Sequence, residues 1–116
     1  MNDVFYITTP IYYVNSHPHI GHAYTTIATD VLTRYMKLFG ADTYFLTGTD
    51  EHGQKIAESA ANSGIEPQEF VDKISQEFRE LWPHLHIEHD QFIRTTDSEH
   101  KACVQQILQK IYDQGE

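Results

Sequence analysis

The chain has 116 residues, 40% hydrophobic and 12% aromatic, which suits one folded domain and is too apolar for a disordered segment. Its net charge is −9, from 8 Lys and Arg against 17 Asp and Glu, so the chain as a whole lacks the basic stripe of a nucleic-acid binder. No segment approaches the roughly 20 apolar residues of a membrane helix. Met1-Asn2-Asp3 opens no secretory signal, and the lone Cys103 excludes an internal disulfide, as expected of a cytoplasmic protein.

Val4-Phe5-Tyr6-Ile7-Thr8 is β-branched and aromatic and reads as a buried strand ending before Pro10. Pro10 to Pro18 reads as a connector, with Asn15, Ser16 and Pro18 as turn formers. From about Gly21 to Phe39 the apolar residues Tyr24, Ile27, Ala28, Val31, Leu32, Tyr35 and Leu38 recur at helical spacing, and Gly40 stops the helix. Thr43 to Thr47 is a second strand. Gly48 to Gly53 is an acidic loop, and Gln54 to Asn62 a short helix stopped by Ser63-Gly64.

Pro67 opens another helix, with Phe70, Ile74, Phe78, Leu81 and Trp82 on one side and Pro83 at its end. Gln91 to Thr95 is a short strand. Asp97 or Ser98 caps a last helix whose apolar side holds Cys103 or Val104, Ile107, Leu108 and Ile111. The alternation predicts an α/β fold, a Rossmann-like parallel sheet with flanking helices. Three short strands make a narrow sheet, so the expectation is a fragment of a larger domain.

His19-Ile20-Gly21-His22 stands where the first strand hands over to the first helix. Ligands of open α/β sheets bind outside the carboxyl ends of the strands, and a helix N-terminus attracts phosphate. Gly21 carries no side chain to block a nucleotide. His19 and His22 can donate hydrogen bonds to one phosphate and to the charge developing on it, which suits nucleotidyl transfer. The same two histidines would also serve as solvated surface residues. Neither Gly-x-Gly-x-x-Gly after a strand nor a P-loop sequence is present.

His17, His19 and His22, and again His84, His86 and His89, have spacings that a metal could use, but no cysteine accompanies them, and no metal site is expected. Gly48-Thr49-Asp50-Glu51-His52-Gly53 should reach the same sheet edge as the histidines. A carboxylate there can hold a substrate ammonium; alternatively Asp50 caps the next helix.

Thr9-Pro10-Ile11-Tyr12-Tyr13-Val14-Asn15, Pro18-His19-Ile20-Gly21-His22-Ala23-Tyr24-Thr25-Thr26 and Phe45-Leu46-Thr47-Gly48-Thr49-Asp50-Glu51-His52-Gly53-Gln54-Lys55 occur in an order that closely resembles the start of bacterial methionyl-tRNA synthetases. The resemblance runs from about Val4 to the end of the chain. It implies an enzyme that activates methionine with ATP and Mg2+ to methionyl-adenylate and transfers it to tRNA(Met). It implies ATP binding by His19, Gly21 and His22, with both histidines catalytic. It places Ile11 and Tyr13 along the methionine side chain and Asp50 on its ammonium.

The family's Lys-Met-Ser-Lys-Ser motif, its cysteine-bearing zinc insertion and its anticodon-binding domain are absent from these residues, so zinc is expected only in a longer chain and this piece alone is expected to be inactive. Two other readings stand beside this one. The first is a nucleotidyltransferase joining AMP or CMP to a small phosphate ester, and the second is a non-catalytic piece.

Overall fold

The computed structural model describes residues 3–115; Met1 and Asn2 at the start and Glu116 at the end, which entered the reading of the two termini, lie outside the described residues. The element order is β1 (Val4–Thr8), β2 (Tyr12–Tyr13), α1 (Ile20–Leu38), β3 (Asp42–Asp50), α2 (Gln54–Ser63), α3 (Pro67–His84), β4 (Gln91–Arg94) and α4 (Ser98–Asp113). All strand pairs are parallel. The expected alternation is therefore present, with four strands among the described residues in place of three.

β3 is the central strand and is longer than expected. It runs through Gly48 and Thr49 to Asp50, so half of the expected acidic loop is sheet. The loop-like composition misleads because Gly48 serves close approach here: a Cβ on it would collide with the backbone carbonyl of Ile93 on β4.

β1 and β2 lie along the other edge of β3. Thr8 is opposite Leu46 and Tyr12 opposite Thr49, so four residue steps on one strand face three on the other. This is a bulge of one residue, at Thr9 to Ile11, where Pro10 has no N–H to give to a ladder. The connector expected from Pro10 to Pro18 thus contains a short strand.

Directly paired residues of neighbouring strands share a sheet face. One face carries Ile7, Phe45, Thr47, Thr49, Tyr12 and Phe92, and α3 packs on it with Phe70, Val71, Ile74, Phe78 and Trp82 buried. Tyr12 also reaches α1, because its hydroxyl lies 2.9 Å from Thr26 Oγ1. Both helices therefore cover this face. The opposite face carries Val4, Tyr6 and Tyr44, all exposed, with Tyr44 donating to Gln91 at 2.7 Å. β1 is therefore not the fully buried strand its composition suggests. The described body is 50 × 45 × 19 Å, the thickness of one sheet and one helix layer.

α1 departs most from expectation. Its apolar side is exposed, including Tyr24, Val31, Tyr35 and Leu38, while Thr26, Thr29, Asp30 and Thr33 are buried. The buried hydroxyls are satisfied within the helix: Thr26, Thr29 and Thr33 donate to the carbonyls of His22, Thr25 and Thr29 at 2.8–3.0 Å. Asp30 accepts from Arg34 Nε at 2.6 Å and from the Glu88 amide at 2.9 Å.

α3 continues one residue past Pro83, and α4 has no buried residue, so the apolar side expected to face a core is open. Among the described residues no helix is long and apolar enough to cross a membrane.

Candidate functional site

The histidine motif sits at the start of α1, but the two histidines do not lie on consecutive helical turns. His19 is the N-cap and the helix begins at Ile20. The Gly21 N–H donates to His19 Nδ1 and the His19 N–H donates to His22 Nδ1, each at 3.0 Å. The pair forms a reciprocal capping box built from imidazoles rather than from a hydroxyl and a carboxylate. An Nδ1 that accepts a hydrogen bond carries no proton, so each neutral ring holds its hydrogen on Nε2. Two Nε2–H donors are thus left for a ligand, on rings whose centroids are 3.8 Å apart.

Gly21 has a local role beyond leaving room for a nucleotide. A Cβ there would lie 2.9 Å from His19 Cε1 and 3.0 Å from its Nδ1, so a side chain would push the cap out of place.

His22 is wedged among aromatic rings. Tyr12 and Phe78 meet it edge-on, with centroids at 4.8 and 4.9 Å, and stack on each other at 5.7 Å. Burial, and secondarily the neighbouring His19, hold its pKa below the ordinary 6.5. The neutral donor form of His22 therefore persists below the pH at which a free histidine charges.

Asp50 ends β3 and pairs in register with Tyr13, so the two side chains share the sheet face opposite Tyr12. Tyr12 and Tyr13 are successive residues: one touches His22 and the other flanks Asp50, which joins the N-terminal end of α1 to the acid. Asp50 does not cap α2, because the N-cap is Gly53 and has no side-chain bond. The nearest donor to Asp50 Oδ1 is the His52 N–H at 3.5 Å, and among the described residues no cationic side chain lies within ion-pairing distance. Ile11 and Tyr13 are both exposed.

A cleft of about 560 Å³ opens beside Tyr13, lined also by Asn15, His52 and the first turn of α2. Asp50, Ile11 and the two motif histidines do not line it, so the expected site residues cluster at one strand end without sharing one enclosed pocket.

The expected histidine clusters separate into other roles. His17 Nδ1 meets Glu77 Oε2 at 2.5 Å, His84 Nδ1 accompanies the Glu80 carbonyl at 2.8 Å, and His89 packs against Phe92. Among the described residues no group of three His, Cys, Asp or Glu side chains could hold a metal ion.

Sequence reasoning missed Tyr12, Phe78, Glu51 and Arg94. Glu51 is buried, and Arg94 Nε donates to its Oε1 at 3.1 Å and its Oε2 at 2.8 Å. The signal was available in the adjacent acids Asp50-Glu51 at a strand end. Neighbouring strand residues point to opposite faces, so one acid had to turn toward the helices and needed a cation there.

A parallel α/β sheet whose strand ends meet a histidine-capped helix defines a nucleotide-binding domain of the class I synthetase type. A family model described as "tRNA synthetases class I (M)" matches residues 5–116, and the chain belongs to that family. It is 56% identical over 115 residues to a methionine–tRNA ligase of Rickettsia conorii, covering 99% of the chain and 23% of the relative. It is 51% identical over 115 residues to that of Bacillus subtilis, covering 99% of the chain and 17% of the relative. The fold matches Mycobacterium tuberculosis methionyl-tRNA synthetase in complex with methionyl-adenylate, with TM-score 0.83 and 46% identity over 84% of the chain and 19% of that protein. The chain thus spans a quarter or less of the length of these relatives.

Proposed function

We propose that residues 1–116 form the N-terminal part of the catalytic domain of a methionine–tRNA ligase, carrying half of its ATP site and part of its methionine pocket. The observation that carries this reading is the imidazole capping box. It locks both Nδ1 atoms onto backbone amides and leaves two Nε2–H donors at a helix N-terminus; Asp50, at the end of β3, has no cationic side chain within ion-pairing distance among the described residues.

In the proposed reaction the ammonium of methionine pairs with Asp50, and its side chain lies along Ile11 and Tyr13. The methionine carboxylate oxygen attacks the α-phosphorus of ATP. The bond from that phosphorus to the bridging oxygen breaks, and pyrophosphate leaves with the electron pair. His19 and His22 donate to the phosphate oxygens as charge shifts onto them, a role for fixed donors that need no reorganisation. Gly21 keeps the cap in place and leaves the nucleotide room. ATP enters as its Mg2+ complex, the ion riding on the phosphates. The product is methionyl-adenylate; a hydroxyl of the terminal adenosine of tRNA(Met) then attacks its aminoacyl carbonyl carbon, the bond from that carbon to the phosphate oxygen breaks, and AMP leaves. Recognition of the tRNA lies with other parts of a longer cytoplasmic enzyme, as does any zinc.

The test is methionine-dependent ATP–pyrophosphate exchange in the full-length protein. His19→Ala or His22→Ala should each lower it 100- to 1000-fold, about 3–4 kcal/mol, with methionine affinity little changed. Wild-type exchange in either variant would remove the phosphate role. Asp50→Asn should weaken methionine by roughly 10- to 100-fold, the range for a hydrogen bond to a charged group. Ile11→Ala should cost about 1–3 kcal/mol of discrimination against leucine. Unchanged methionine affinity in Asp50→Asn would take the ammonium away from Asp50.

A further inference from the structure

Two acids stand side by side where β3 leaves the sheet, and the structure treats them in opposite ways. Glu51 turns toward α3 and is buried. Its carboxylate accepts from Arg94 Nε at 3.1 and 2.8 Å, from Arg94 Nη2 at 2.5 Å and from Thr96 Oγ1 at 3.0 Å. Its own N–H donates to Thr95 Oγ1 at 2.9 Å. Arg94 is held in turn: Nη2 also donates to Asp72 Oδ1 on α3 at 2.5 Å, and its N–H donates to Asp97 Oδ2 at 2.9 Å. Among the described residues the carboxylate of Asp50, one residue earlier, has only the 3.5 Å contact from the His52 amide.

We propose that Glu51 and Arg94 are positioning residues for Asp50, a buried clamp that fixes the end of β3 so that the Asp50 carboxylate faces the substrate ammonium. This inference rests on the assignment of the ammonium to Asp50.

The clamp acts in two ways. First, it sets direction. Strand residues alternate between faces, so tying both the main chain and the side chain of Glu51 to the segment 94–96 determines where Asp50 points. The loop beyond is tied at one more point, His52 Nε2 to the Thr95 carbonyl at 3.4 Å, before Gly53 turns the chain at φ 138°.

Second, the clamp sets charge. The Arg94 guanidinium binds Glu51 and Asp72, and the hydrogen bonds it donates to these acids, Glu51 first, hold its pKa above the ordinary arginine value. Asp72 is held below the ordinary carboxylate value, chiefly by Arg94. The local cation is therefore committed to the two neighbouring acids, and Asp50 remains open to a cation from outside. A buried ion pair of this kind adds little to net stability compared with apolar residues of the same volume, so its geometry is the more informative property.

The experiment is a double-mutant cycle in the full-length protein, read as KM for methionine and KM for ATP in pyrophosphate exchange, with a thermal melt of each variant. The clamp is removed as a pair, Glu51→Gln with Arg94→Met, so that no unpaired buried charge remains. Arg94→Lys keeps the charge without the two-toothed geometry and serves where the pair does not fold.

The paired variant should raise the methionine KM roughly tenfold, the lower end of the loss expected for removing the charged hydrogen bond itself, and leave the ATP KM unchanged. Arg94→Lys should show the same split to a smaller degree. In an Asp50→Asn background neither change should raise the methionine KM further. If Asp50→Asn raises the methionine KM and the clamp variants do not, the clamp has no positioning role and the ammonium assignment stands. Additive effects, or methionine and ATP KM rising together with a lower melting temperature, would reduce the clamp to ordinary structure. If Asp50→Asn leaves the methionine KM unchanged, the ammonium assignment fails and the clamp fails with it.

Discussion

Helices α1 and α3 have nearly the same length, 19 and 18 residues, and both carry apolar residues at helical spacing. α3 buries its apolar side: Phe78 and Trp82 are fully enclosed, with Phe70, Val71 and Ile74 nearly so. α1 does the reverse, burying three threonines and an aspartate and exposing Tyr24, Val31, Tyr35 and Leu38. Helical spacing identifies which residues share a side; it does not say which side a neighbour covers. A threonine row can be buried at little cost when each hydroxyl donates back to its own helix, because no polar group is then left unpaired. The two helices also serve the site differently. α1 supplies its histidines, and α3 supplies Phe78, the ring that holds one of them.

The largest expected effect tests this contrast directly. Phe78→Ala or Trp82→Ala should destabilise the chain by about 3–5 kcal/mol, the usual cost of a large aromatic cavity, measured by urea unfolding. Phe78→Ala should cost more than stability, because it removes one of the rings against His22. A loss below about 1 kcal/mol would mean that the core under α3 re-forms easily and that the contrast is overdrawn.

Much of this architecture could be read from local pattern. The strands at Val4–Thr8 and near Gln91 show as short β-branched and aromatic runs, the helix from Pro67 as apolar residues three or four apart, and the helix from Gln54 by its stop at Ser63-Gly64. What could not be read depends on distant partners. The bulge at Thr9 to Ile11 becomes visible only when the register against β3 is known, and it decides that Tyr12 faces the helices while Tyr13 faces Asp50. In the candidate site, the placement of the histidines and Asp50 at strand ends was legible because each motif directly follows a strand pattern. Their supports were not: Phe78 lies 56 residues beyond His22, and Arg94 lies 43 beyond Glu51. The use of His19 as a cap was also hidden, because imidazole is not among the usual capping groups.

A second test asks whether the threonine face of α1 depends on its hydroxyls or only on its shape. Thr33→Val keeps the volume and removes a hydrogen bond whose acceptor, the Thr29 carbonyl, belongs to the helix itself. The expected cost is about 1 kcal/mol, that of one ordinary intramolecular hydrogen bond, read by the same unfolding curve. A cost near that of Phe78→Ala would show that the buried polar row is as demanding as the aromatic core.

Two partly buried histidines, one on α1 and one in the loop after α3, predict a sensitivity to acid. His22 at the start of α1 and His89 after α3 both have pKa values lowered chiefly by burial. A histidine lowered in the folded state binds its proton more readily when unfolded. Its contribution is fully present above the unfolded value near 6.5 and is lost as pH falls from there toward the lowered folded value. Stability should therefore decline on acidification below pH 6.5. His89→Gln should flatten part of that decline, and a proton NMR titration should place both imidazoles below 6.5. An unchanged acid slope in His89→Gln would exclude His89 as a source.

The smallest effect expected is on the exposed side of α1. Val31 is 59% exposed and Leu38 is 83% exposed, so truncating either removes little that is packed in this chain. Alanine is also the best helix former, and replacing a β-branched valine with it recovers a few tenths of a kcal/mol of helix propensity. Val31→Ala and Leu38→Ala should therefore lie within about 0.5 kcal/mol of the parent. The informative version pairs this measurement with the same substitutions in a longer protein carrying the chain. The relatives are four or more times as long, and an apolar helix side of this extent is unusual on a free surface. If Val31→Ala costs about 1 kcal/mol or more in the longer protein and nothing in the chain alone, further polypeptide covers α1, and its apolar stripe is core after all, as in α3. If the cost is negligible in both, the stripe is a true surface, and α1 is held to the rest of the fold by its other side, with the threonines, Asp30 and the His22 ring among Tyr12 and Phe78.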